Sequence, residues 1–155
     1  MGFKVGDVRT IEATITDKMV QSFAEISGDF NPIHVDEEYA KTTRFGRRIA
    51  HGMISAALIS RARGMELGPG GIYLSQSLKF MAPVFIGDHL KVTLTITHMR
   101  DKGISTCSTI VEKSTGEMVV KGEAIIMDAD GVKQMDIKKQ AAASASAAAD
   151  ATKTS

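Results

Sequence analysis

Residues 27–60, SGDFNPIHVDEEYAKTTRFGRRIAHGMISAALIS, bring a carboxylate and an imidazole into one short stretch: Asp29 and His34, five positions apart. A carboxylate beside an imidazole can hold one water between them, one group taking a proton while the other orders or returns it. Gly52 follows near the start of an apolar run. A peptide N–H in the first turn of a helix has no carbonyl partner within that helix and lies at the positive end of its dipole. Such a donor stabilises an oxygen on which negative charge develops. Together the three groups are the parts needed to add water to an activated double bond. Each also has a plainer use: Asp29 as a turn residue bonding its own backbone, His34 as a packed or surface histidine, Gly52 as a site of close helix packing.

Further residues gather around these. Ser60 lies two turns beyond Gly52; its hydroxyl either holds Asp29 or His34 or bonds back to its own helix. Asn31 either orients the loop, touches a substrate or serves a turn. Arg44, Arg47 and Arg48 form a basic patch that suits phosphates or is simply a solvated face. His51, His89 and His98 read as structural or surface residues.

The elements that must position this stretch follow from periodicity. Val8–Ile15 is β-branched and predicts a strand, and Thr16 or Asp17 caps a helix with Met19, Phe23 and Ile26 on its apolar face. Gly28 ends that helix. The loop that follows, with Gly28, Asn31 and Pro32, is expected to be irregular, and Asp36 caps a short helix. From Ile49 to Ala62 almost every residue is apolar, which predicts a buried central helix wrapped by a sheet. After Gly71 the period falls to two. Ile72, Leu74, Leu78 and Phe80 are expected on one strand face; Leu90, Val92, Leu94 and Ile96 repeat the pattern. Runs at 104–111 and 118–127 complete the set, with turns at Gly87-Asp88, Asp101–Gly103 and Ser114–Gly116. The short connections favour antiparallel pairing, and the fold class is α+β.

Composition narrows the function. The chain's 155 residues fit one domain, with 19 basic against 18 acidic residues and a formal charge of +1. That balance argues for no nucleic-acid or membrane partner. One cysteine, Cys107, and the lack of an apolar signal or membrane-length run predict a soluble cytoplasmic protein. Without CxxC, HExxH or clustered histidines, no metal is expected; without GxSxG or a phosphate loop (the GPGG at 68–71 has no following lysine), those chemistries drop out. Residues 137–155 are an alanine-rich, low-complexity tail, expected to be disordered.

Two blocks, Asp29-Phe30-Asn31-Pro32-Ile33-His34 and Ala50-His51-Gly52-Met53, closely resemble the MaoC-like hydratase family, the (R)-specific enoyl-CoA hydratases or hydratase 2. The segment 71–87, GIYLSQSLKFMAPVFIG, extends the resemblance, which covers nearly all of 5–127. It implies a hot-dog fold over residues 1–136: a long helix wrapped by a curved antiparallel sheet. It implies Asp29 and His34 as the catalytic dyad, the Gly52 N–H as donor to the thioester oxygen, and Ser60 in support. The implied reaction is reversible addition of water to a trans-2-enoyl-CoA, giving the (R)-3-hydroxyacyl-CoA with no cofactor, in a homodimer or larger assembly. Alternatives on the same fold are a dehydratase acting on acyl carrier protein thioesters, thioester hydrolysis, and a non-catalytic acyl-CoA-binding subunit.

Overall fold

Strict alternation along the third strand sets the core. The computed structural model describes residues 3–66 and 69–135. In β3 (His89–Arg100) the side chains of Leu90, Val92, Leu94 and Ile96 are buried, with Lys91 and its alternates turned away. β1 (Val8–Thr14), β2 (Ile72–Phe80), β4 (Ile104–Lys113) and β5 (Met118–Met127) join it in one antiparallel sheet of order β1-β3-β4-β5-β2. The helices are α1 (Asp17–Ser27), α2 (Pro32–Val35), α3 (Glu37–Lys41) and α4 (Gly52–Glu66). α4 lies on the sheet and buries Ile54, Leu58, Ile59 and Ala62 against it, the helix-on-sheet layering of the hot-dog fold.

Four expectations change. Ile26 is 83% exposed; Val20 and Ala24 are the buried residues of α1, with Met19 and Phe23 packed beside the core. The Asn31–His34 segment is not irregular: Asn31 caps α2, its side-chain oxygen accepting from the Ile33 N–H at 3.3 Å, and Pro32 takes a first-turn position that needs no N–H. A bulge between Tyr73 and Ser75 breaks the alternation of β2, so Ile72 and Leu74 are exposed while Tyr73, Gln76 and Leu78 point inward; Phe80 shares the face of Leu78 and lies against Gly52 with its ring half exposed. Finally, α4 is not enclosed all round. Met53, Ala57, Ser60, Arg61 and Gly64 form an open face opposite the sheet. The alanine-rich segment 137–155 lies outside the described residues.

The termini of the helices obey local chemistry. Thr16 caps α1 through its hydroxyl, Gly28 ends it at φ 77, and Asp36 caps α3. At the far end of α4 the buried Arg63 donates to the Gly71 carbonyl at 2.7 Å and the Met127 carbonyl at 3.5 Å, tying that helix to β2 and β5. Cys107 is buried among apolar side chains, and this burial pushes its thiol up to about 11, away from the reactive thiolate. Among the described residues no helix is long and apolar enough to cross a membrane.

Because Leu94 stands at the centre of the sheet face under α4, Leu94→Ala leaves a cavity there. Urea unfolding of the variant is expected to show a loss of about 2–5 kcal/mol relative to wild type.

Candidate active site

Main-chain hydrogen bonds fix the stretch ahead of α4 before any side chain acts. Ile49 pairs with Phe85 as an isolated bridge, the Ala50 N–H donates to the Val84 carbonyl at 2.7 Å, and the Ile49 N–H donates to the Ile33 carbonyl at 3.3 Å. One short extended piece thus joins α2, the 81–88 loop and the start of α4.

His34 is oriented by that piece. Its Nδ1–H donates to the Ile49 carbonyl at 2.8 Å, which leaves the lone pair on Nε2 free. Burial lowers its pKa below 6.5; the stacked His51 adds to that, while the Ile49 bond and the Asp29 charge oppose it. Asp29 is exposed just past the Gly28 cap. Its Oδ1 accepts from the Asn31 N–H at 3.2 Å, and its own N–H donates to the Ser27 hydroxyl at 3.2 Å. Asp29 and His34, with His51, each place one oxygen or nitrogen within 4.8 Å of the others. Two groups at that separation can both bond a single water at about 2.8 Å.

These three residues also have the composition of a metal site, and the ring geometry argues against that use. The His34 and His51 rings stack at 4.0 Å between centroids and 31° between planes. In-plane lone pairs of stacked rings do not converge on one ion.

Gly52 opens α4, and no hydrogen bond among the described residues uses its N–H. A Cβ at this position would sit 2.8 Å from the Phe80 ring, so a larger residue here requires that half-exposed ring to shift. His34, Gly52, Arg44, Ser55 and Phe80 line one cavity of about 420 Å³ between the loop, α4 and β2. Asn31 stands at the cap of α2 beside Asp29. Ser60 is apart: it lies on the open face of α4, and none of the hydrogen bonds of Asp29 or His34 involves it.

Of the basic patch, Arg48 is neutralised by Asp17 at 2.8 Å and Glu37 at 3.3 Å, and Arg47 lies over the Phe85 ring at 4.1 Å. Arg44 rests on Phe45 at 4.8 Å and has no acidic partner among the described residues. Sequence reasoning set His51 aside as structural or surface; it is 2% exposed and touches both Asp29 and His34. Its position next to Gly52 was the available signal.

A lowered folded pKa means the unfolded chain binds the proton first as pH falls, so His34 contributes stability above pH 6.5 that is lost below it. An NMR titration of the His34 ring is expected to give a midpoint under 6.5, and the Phe variant at position 34 to lose that component of acid sensitivity.

The MaoC like domain family matches residues 5–119. An (R)-specific enoyl-CoA hydratase of Rhodospirillum rubrum is 46% identical over 126 residues, spanning 80% of this chain and 87% of that protein. A 3-hydroxybutyryl-CoA dehydratase of Methylorubrum extorquens is 42% identical over 129 residues, 79% of each. The unliganded (R)-hydratase PhaJ1 of Pseudomonas aeruginosa superposes with a TM-score of 0.78 at 46% identity, over 81% of each chain. The two motif blocks, the helix laid on the antiparallel sheet and the Asp29–His34 pair beside Gly52 are thus accounted for by a common ancestry: this chain belongs to the MaoC-like family.

Proposed function

We propose that the protein is an (R)-specific enoyl-CoA hydratase, adding water reversibly to a trans-2-enoyl-CoA. The observation that carries the reading is the pairing of Asp29 and His34 within 4.8 Å beside a cavity that also holds the unused N–H of Gly52. Relatives named for this activity at 46% identity support it.

In the proposed step, the water bound between Asp29 and His34 gives up a proton to the pair as its oxygen bonds C3 of the enoyl group. The electrons of the double bond move toward the thioester carbonyl, whose oxygen is held by the Gly52 N–H. A proton delivered to C2 completes the addition, and the pair returns to its starting state. A donor of this kind is worth about 3 kcal/mol. Asn31 shapes the loop next to the substrate. For Ser60 the support is the family resemblance, with its hydroxyl on the open face of α4. The working unit in this reading is the domain over residues 1–136, placed in the cytoplasm, where the unpaired thiol of Cys107 persists.

A homodimer or larger assembly is part of the proposal. Ile72 and Leu74 are exposed along β2, an edge strand of the sheet, and Met53, Phe80 and Met81 are about half exposed beside the cavity. Exposed apolar side chains beside an unpaired strand edge are what a second copy would cover.

The purified protein mixed with crotonyl-CoA should bleach the conjugated enoyl-thioester absorbance, and an (R)-specific 3-hydroxyacyl-CoA dehydrogenase should oxidise the product. Asp29→Asn keeps the shape and removes the base, so the rate is expected to fall by about a thousandfold with the fold intact. A wild-type rate in that variant would remove the assignment.

Arg44 supplies a second, independent reading of the substrate. As the cavity-lining arginine with no acidic partner among the described residues, it suits the phosphates of CoA. Arg44→Ala is expected to raise KM for crotonyl-CoA about tenfold and to leave KM for crotonyl-pantetheine, which has no phosphate, unchanged. Equal effects on both substrates would show that Arg44 reads no phosphate.

A further inference from the structure

We infer that His51 is a positioning residue that holds the separate parts of the site in one arrangement, an inference resting on the hydratase reading. Its ring is almost wholly buried and touches each part from a different side. Nε2–H donates to the backbone carbonyl of Asp29 at 2.9 Å, which anchors the loop carrying the carboxylate. The ring face lies 4.0 Å from the His34 ring, centroid to centroid, and 4.8 Å from Phe23 on α1. Its own carbonyl accepts from the Ile54 N–H at 3.0 Å and closes the first turn of α4, so the peptide bond it shares with Gly52 presents the Gly52 N–H. One side chain thereby sets the height of Asp29, the plane of His34 and, through its backbone, the direction of the donor.

A packing role alone does not account for it. The other ring nitrogen, Nδ1, is buried with no hydrogen-bond partner among the described residues. An apolar ring such as phenylalanine would fill the same slot between Phe23 and His34 without leaving a buried acceptor unpaired, a cost that proteins avoid. What phenylalanine would lack is the donor to Asp29. The N–H, and not the ring volume, is therefore what distinguishes histidine here.

The test separates donor from ring. His51→Phe keeps the stacked ring and removes the N–H; His51→Gln gives up the ring and keeps an amide N–H near the position of Nε2. With crotonyl-CoA, His51→Phe is expected to lower kcat about 30-fold and to change KM less than threefold, because substrate contacts elsewhere in the cavity are intact. His51→Gln is expected to recover kcat to within about fivefold of wild type, despite the larger packing change. Long-range proton–nitrogen NMR of the imidazoles in the wild type is expected to show Nε2 of His51 and Nδ1 of His34 carrying their protons.

A wild-type kcat in His51→Phe, a Gln variant no better than the Phe variant, or a His51 proton found on Nδ1 would each overturn the inference. Should His51→Phe fail to unfold cooperatively, the Gln variant and the NMR tautomer still decide it. A wild type inert on every enoyl thioester would instead strike at the hydratase reading itself, a result distinct from an active wild type with an indifferent His51→Phe.

Discussion

The main chain at Ile49 and Ala50 is the constraint on which the site depends. Its carbonyl at Ile49 orients His34, its N–H at Ala50 bonds the Val84 carbonyl, and its continuation begins α4 with His51 and Gly52. These bonds use main-chain groups, are short and partly shielded from water, and leaving any of them unmade would strand a polar group. The side chains of the site are arranged around a piece of chain with little freedom of its own. The sheet then fixes that piece, because α4 is pressed on it by Ile54, Leu58 and Ile59, and the 81–88 loop is closed by the Phe85 N–H donating to Asp88 at 2.9 Å.

Charge is distributed to leave the site's own groups free. Arg48 lies close to His34, its Nη1 reaching the His34 carbonyl at 3.5 Å, yet two carboxylates, Asp17 and Glu37, neutralise it. Partly exposed pairs of this kind add at most about 1 kcal/mol each, so their value lies in holding α1, α2 and α3 in register. Lys113 is treated likewise by Asp88 at 3.1 Å and Glu117 at 2.8 Å. Burial of His34 favours the uncharged ring, whose Nε2 can accept a proton.

Much of this was legible because periodicity is a backbone property. Leu90, Val92, Leu94 and Ile96 alternate, and they are buried as alternation requires; Gly28 follows an apolar helical run and ends the helix in the left-handed region. Type and spacing made Asp29 and His34 candidates while leaving their plainer uses open, and the fold brings one atom of each within 4.8 Å. The errors came where one residue changes the count or the environment. The bulge at Leu74 shifts every later side chain in β2 by one, and nothing in the local pattern marks it. Pro32 reads as a loop former, but after an Asn cap it is also the residue best suited to begin a helix. Ile26 is apolar and at the right spacing, yet α1 presents that position to solvent because its contact with the core runs through Val20 and Ala24. His51 was undervalued because its use depends on a carbonyl 22 residues away, which no local window contains.

The position of Gly52 shows why binding and chemistry are not separable in this cavity. Phe80 lies 2.8 Å from where a Cβ would stand, so one ring both forms part of the cavity wall and crowds any side chain placed at the N–H. A larger residue at 52 would have to push Phe80 aside; a smaller one at 80 would lengthen the cavity while loosening the first turn of α4. Cavity shape and donor direction therefore change together, through a ring that is itself half exposed at the edge of β2. In the proposed assembly a second copy covers that edge.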